Sequence, residues 1–289
     1  HSLSLHAALP ISRRDRQDVE VALGGIPDPD GPERRPAPGD HPVGVADPRR
    51  QDLDPAGTVD RPLPACPDQP GNPDVEIDVQ GGGSSVGVKS AAEGTTPIGN
   101  ASRALKDSEM EEYPDLIAHT IARDGIAVVV HPDVPVDGLS LDEARQIFAG
   151  EITNWSEVGG PDENIVVVSR EEGSGTRGAF EDMVMGDDAL IVDTALLQPS
   201  NGAVKTTVAS TPLSVGYISF GYLDDSVKAL AIDGVEPTVA NAQSDEYPVV
   251  RPLNMVTKGE PTGLAKDFLD FIMSGEGQAI VAEEYIPVE

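Results

Sequence analysis

The sequence predicts an α/β protein whose sheets are at least partly parallel. Two apolar runs without polar alternation, "GIAVVVH" at 125–131 and "NIVVVSR" at 164–170, have the composition of strands covered on both faces. Helix signals fall between and after them, the mark of a sheet flanked by helices. No internal repeat breaks the pattern.

In chain order, "DVEIDVQ" at 74–80 alternates apolar and polar residues as a half-buried strand does. "DVQGGGSSVGVKSAAEG" then runs through glycines to Ser84 and Ser85, with a helix expected from Val86. "TPIGNASRAL" at 96–105 makes a short apolar approach to a loop holding Ser102 and Arg103. "SLDEARQIFAG" is a helix marked at both ends: Ser140 and Glu143 fit a capping box, and Gly150 fits a C-terminal stop. Trp155 in "ITNW" is expected to pack in a core, and "VGYISFGYL" at 215–223 reads as another buried strand. "GLAKDFLDFIMSGEG" repeats apolar residues at Leu264, Phe268, Leu269 and Ile272, one face of a helix.

Residues 1–72 are of another kind. They hold eight Arg, no Lys, no aromatic residue and thirteen prolines, with no hydrophobic period. Too little apolar surface is available to offset chain entropy, so disorder is expected. A shifted reading frame is the harsher expectation, because "SLSLHAALPIS" looks like translated adapter sequence.

Charge and length bound the function. The 289 residues carry a formal net charge of −30, which argues against nucleic-acid binding. Residues 73–289 alone hold 38 acids against 12 bases, a surface suited to high salt. A single cysteine, Cys66, allows no internal disulfide. Five histidines, at 1, 6, 41, 119 and 131, show no metal spacing, so no metal site is expected. No apolar run approaches the roughly 18–20 residues that span a bilayer. The N-terminal stretch has its basic residues after a short apolar run, the reverse of a signal peptide.

The stretch "VVVSREEGSGTRGAFEDMV" at 166–184 carries the chemistry. A strand ending near Val168 and a helix beginning near Gly178 would leave free N–H groups, from about Ser174 to Arg177, at a helix start. Such donors, with the helix dipole, form an anion site. Gly173 and Gly175 let the backbone approach closely, and Ser174 and Thr176 add hydroxyls. Arg170 offers a planar fork for an oxyanion, and Glu172 would hold that fork.

Rival readings fit less well. Gly173 to Gly178 matches G-x-G-x-x-G, with Asp193 twenty residues after Gly173, the spacing of a dinucleotide fingerprint. However, Ser169 to Glu172 separate it from the strand, and two carboxylates would repel a pyrophosphate. The NTPase phosphate loop fails because no Lys follows the glycines. No G-x-S-x-G elbow exists, since Glu172 precedes Gly173. A plain Gly-rich turn leaves Arg170 and both hydroxyls unexplained. The repeated strand–Gly–Ser–helix unit at Ser84 favours a shared anion site.

The stretches "NPDVEIDVQGGGSSVGVK", "IGNASRAL", "LDEARQIFAGEITNWSEVGG", "SREEGSGTRGAF", "NGAVKTTVASTPLSVGYISF" and "FLDFIMSGEGQAIVAEEYIPV" together resemble the phosphate-binding proteins of Pst-type ABC importers. They cover nearly all of residues 73–289 in order. The resemblance implies a two-lobed periplasmic-binding-protein-like fold (type II), each lobe a central β-sheet flanked by helices. One inorganic phosphate would be closed between the lobes. The implied phosphate contacts are Ser84, Ser85, Ser102, Arg103, Arg170, Ser174, Gly175 and Thr176, with Glu172 behind Arg170. Asn201 and Gly202 would border the cleft.

The same resemblance implies a non-catalytic, extracytoplasmic protein without a cofactor, possible lipid anchoring, and a membrane permease as partner. A carrier of sulfate or molybdate is the nearest alternative; a phosphatase or dinucleotide enzyme is the more distant one. Residues 73–127 and 219–289 would form an incomplete first lobe and 128–218 the second, with crossings near Gly125–Pro132 and Tyr217–Gly221. Two departures from the family pattern stand out. Nothing in 1–72 matches its opening strand and loop, and Ser102 stands where many members have an Asp that accepts the phosphate proton.

Overall fold

The computed structural model describes residues 77–186 and 189–288, with Val75 and the backbone of Val19–Leu23. The first elements are β1 (Val19–Leu23), β2 (Ile77–Gly81), α1 (Ser84–Glu93), β3 (Ile98–Ala101), α2 (Asp107–Glu112) and β4 (Leu116–Val130). Next come β5 (Gly138–Leu139), α3 (Leu141–Ala149), β6 (Val166–Arg170), α4 (Gly175–Phe180), β7 (Leu196–Gln198), α5 (Asn201–Ser210) and β8 (Ser214–Ser219). The chain closes with β9 (Lys228–Ala229), β10 (Ala231–Ile232), α6 (Val239–Gln243), β11 (Val250–Lys258), α7 (Gly263–Ile272) and α8 (Gly275–Val281).

One strand joins two sheets. β4 pairs antiparallel with β11 over Leu116–Gly125, then with β8 over Ile126–Val130. The main path of strands is β2-β1-β3-β11-β4-β8-β6-β7, with β9 paired to β4 beside it and β10 paired to β5 in a separate sheet. The helices pack on this path to give two lobes, each with its own apolar centre. Ile98, Met255, Phe268, Leu269 and Ile272 fill the first. Val128, Phe148, Trp155, Phe180 and Tyr217 fill the second, with Phe180 stacked on Tyr217 at 4.1 Å between centroids. Trp155 is fully buried there and its indole N–H donates to Leu213 O (2.9 Å), so the core expectation holds.

Strands β2, β1 and β3 run parallel in the first lobe, as do β7, β6 and β8 in the second. Parallel strands bring their C-terminal ends to one side of a sheet, where ligand crevices form. Ser84 follows β2, Ser102 follows β3, Glu171 follows β6 and Pro199 follows β7, so the expected loops gather there.

Four expectations are corrected. Residues 1–72 do contain a strand: Val19–Leu23 pairs with Ile77–Gly81 and also with Ile98–Gly99. "VEVAL" places valines at alternate positions, a strand pattern outweighed by the proline-rich surroundings. The rest of the expectations for 1–72, Cys66 included, lie outside the described residues. Both anion-loop helices start earlier than expected, α1 at Ser84 and α4 at Gly175. α4 then continues into a π turn at Glu181–Met185.

The second crossing also moves. Leu230, Ile232, Tyr247 and Val249 share the buried cluster of Val128 and Trp155, so residues 219–249 pack with the second lobe. The Tyr247 hydroxyl donates to Ile126 O (3.0 Å). The return lies at Val249–Val250, where Ile126 N–H donates to Val249 O (2.9 Å) and Val250 faces Gly125. The two crossings are therefore neighbouring antiparallel strands. The capping box of α3 is as expected: Ser140 Oγ accepts from Glu143 N–H (3.1 Å), and Gly150 is left-handed.

Candidate functional site

The site lies where the loops after β2, β3, β6 and β7 converge. Ser84 is the first residue of α1 and its Oγ accepts the Ser102 N–H (2.9 Å), joining two first-lobe loops. Across the cleft, Gly173 adopts φ +82°, a conformation that favours glycine, and turns the chain into α4. Ser174 caps that helix, accepting Arg177 N–H on Oγ (3.3 Å) and Gly178 N–H on its carbonyl (3.0 Å). Gly175 and Thr176 N–H belong to the first turn and have no intrahelical acceptor.

The lobes meet at these loops. Ser85 N–H donates to Gly173 O (3.3 Å). A Cβ on Gly175 would lie 2.0 Å from Ser84 Oγ, and one on Gly83 would lie 2.3 Å from Gly173 O. Glycine is required at both places by close approach alone.

The hydroxyls share a common state. Ser84 Oγ accepts from Ser102 N–H, Ser174 Oγ from Arg177 N–H, Ser85 Oγ from Arg103 Nη2 (3.2 Å) and Thr176 Oγ1 from Arg251 Nη1 (2.8 Å). A hydroxyl has one proton and two lone pairs, so each remains free to donate. Together with helix-start N–H groups, they suit an acceptor-rich anion.

Arg170 ends β6, 7% exposed. Its Nε donates to Gln198 O (3.0 Å), and Nη2 donates to Pro199 O and Glu171 Oε1 (both 3.0 Å). The carboxylate that holds it is thus Glu171, while Glu172 is exposed. Neighbouring residues face different ways as the chain leaves the strand, and residue spacing could not choose between them.

Arg103 is also corrected. It is 1% exposed, and its Nη1 and Nη2 form a two-pronged pair with Glu109 (2.8 and 2.7 Å). Nη1 also donates to Ala104 O (2.8 Å). Those bonds spend its charge and most of its donors inside the first lobe, so it braces Ser85 rather than facing a ligand. Burial pushes the Glu109 carboxyl up, but the Arg103 hydrogen bond and the Lys106 N–H outweigh it and hold the group below its ordinary value. Burial also raises the Tyr217 hydroxyl to about 12, keeping it neutral beside Ser169 and Arg170 N–H.

Ser102 is half-buried and contributes its backbone: its N–H to Ser84 and its carbonyl to Arg251 Nη1 (3.1 Å). Asn201 Nδ2 lies 3.4 Å from Thr176 Oγ1. Sequence reasoning missed Arg251 and Asp124, which are 3% and 2% exposed and paired through Nε (3.1 Å) and Nη2 (2.8 Å). Their signal was charge set into two apolar, strand-like stretches, the Arg123–Asp124 pair in "IARDGIAVVV" and the lone Arg251 in "PVVRPLNMV", since buried charges need partners. No group of three or more potential metal ligands occurs among the described residues.

The sequence signature of the PBP superfamily domain matches residues 69–276. The chain is 42% identical over 220 residues to the phosphate-binding protein PstS of Bacillus subtilis, covering 75% of this chain and 73% of that protein. A Clostridium perfringens structure with bound phosphate, assigned as a phosphate ABC transporter substrate-binding protein, shares 45% identity at TM-score 0.70. It covers 75% of this chain and 89% of that one. An ABC-type phosphate transport receptor from Vibrio cholerae shares 36% identity at TM-score 0.65, covering 74% and 89%.

Proposed function

The chain belongs to the PBP superfamily, among the PstS phosphate-binding proteins, and from that membership we propose how it holds and delivers its anion. It binds inorganic phosphate in the cleft between its lobes, as the substrate-binding subunit of a phosphate ABC importer. The contacts are the Ser84 hydroxyl from the first lobe and, from the second, Arg170, the Ser174 and Thr176 hydroxyls and the Gly175 and Thr176 N–H groups. Ser85, Ser102 and Arg103 position these groups. The lobes turn about Gly125–Ile126 and Val249–Val250.

The observation that carries this reading is the meeting of two helix starts, α1 and α4, with hydroxyls whose lone pairs already accept protein N–H groups. With 38 acids against 12 bases in residues 73–289, the long-range field repels an anion. Short-range donors, sheltered from water by closure, must therefore supply the affinity. Outside the cytoplasm the protein hands the anion to a membrane permease, and no chemistry is done on it. No described helix is long and apolar enough to cross a membrane.

Calorimetry of the full chain with phosphate, sulfate and arsenate tests the reading. One-to-one phosphate binding is expected. Sulfate binding without phosphate binding would assign another oxyanion, and turnover of a chromogenic phosphate ester would assign an enzyme.

A further inference from the structure

Arg251 stands outside the proposed contacts, yet it bonds to residues of both lobes, Ser102 in the first and Thr176 in the second. It lies on β11 just after the Val249–Val250 crossing, opposite Asp124, which lies on β4 just before the Gly125–Ile126 crossing. Nε and Nη2 bind Asp124 Oδ2, and Nη1 binds both Ser102 O in the first lobe and Thr176 Oγ1 in the second.

We propose that Arg251 is a positioning residue that makes the Thr176 hydroxyl an obligate donor to the anion, and does so only when the lobes are closed. This rests on the phosphate reading above. Thr176 Oγ1 accepts from Arg251 Nη1 (2.8 Å) and from Asn201 Nδ2 (3.4 Å). Both lone pairs are then taken, so the hydroxyl can only donate, and a charged donor on its oxygen strengthens its own O–H bond to a ligand. Asp124 neutralises the guanidinium, so the residue acts through this hydroxyl and not through long-range attraction. Arg251 is anchored on the first lobe by Asp124 and Ser102, whereas Thr176 rides on the second. Opening must break the Nη1–Oγ1 bond, and closure restores it.

The test is a double-mutant cycle on the full chain, with phosphate affinity from calorimetry and release rate from stopped flow. Arg251→Lys keeps a cation for Asp124 but loses the fork that reaches Thr176. It should weaken binding by about tenfold or more, mostly through faster release. Thr176→Val should weaken it as well, and Arg251→Lys should then add nothing further. An unchanged affinity in Arg251→Lys, or an equal further loss in the Thr176→Val background, overturns the proposal. If Arg251→Lys is too unstable to titrate, Arg251→Gln with Asp124→Asn removes both charges, and the same cycle against Thr176→Val applies. An unsubstituted chain that binds no phosphate would contradict the functional reading instead.

Discussion

The Ser84 hydroxyl sits where a side chain at residue 175 would begin: a Cβ on Gly175 would fall 2.0 Å from Ser84 Oγ and 3.1 Å from Ser102 Cβ. These atoms belong to opposite lobes, so the contact exists only on closure. Gly175→Ala should weaken phosphate binding by about ten- to a hundredfold, because one methyl group holds the lobes apart. The melting temperature without phosphate should barely change. Calorimetry beside a thermal melt separates the two effects.

Arg170 and the two glutamates after it should differ in importance. Arg170→Ala removes a buried cation from the site and should cost about 2–5 kcal/mol of phosphate affinity. Glu171→Gln should lose part of that, since Glu171 Oε1 holds Nη2 at 3.0 Å. Glu172→Gln should leave affinity unchanged, because Glu172 is exposed. Titration of the three variants checks the order.

Glu109 sets an acid limit on the first lobe. Its folded pKa lies below its ordinary 4.5, so the unfolded chain binds the proton more readily. The stability it contributes is complete above about pH 4.5 and is lost as pH falls through the lowered folded value. Glu109→Gln should lower stability at neutral pH by about 1–3 kcal/mol, since Arg103 loses a charged partner in a buried place. Its stability should also fall less on acidification. Melting curves from pH 7 to 3 would show both.

Removing residues 1–72 should damage the first lobe. β2 stands at the sheet edge with β1 as its neighbour, so the shortened chain strands five residues of β2 and breaks the path to β3. A chain of residues 73–289 should bind phosphate far more weakly than the full chain, and amide exchange at Ile77–Gly81 should be fast. Equal affinity would mean that β1 is dispensable.

Salt should stabilise the protein. Acidic side chains outnumber basic ones throughout residues 73–289, and mobile ions screen their repulsion. The melting temperature is expected to rise between low and molar KCl, and a flat response would remove the link to a saline habitat.

Much of this was legible in the chain. The buried strands around Val128 and Val167 and the capped helix at Ser140 announce themselves through local pattern. The Ser-Gly-Thr loop did so as a turn into a helix start, because small residues and a capping serine stand together in sequence there. What stayed hidden was set by distant partners. The ion pair of Arg251 with Asp124 spans 127 positions. Whether Arg103 faces a ligand depends on Glu109, and whether Glu171 or Glu172 holds Arg170 depends on the turn out of β6. Residues 219–249 looked like the return to the first lobe until the burial of Tyr247 and Val249 tied them to the second.

A crystal structure of the full chain grown with phosphate is the most direct test of the central claim. A single tetrahedral anion is expected within hydrogen-bond distance of Ser84 Oγ, Arg170, Gly175 N–H and Thr176 Oγ1, with both lobes touching it. An anion held elsewhere, or one contacted by only one lobe, would contradict the account.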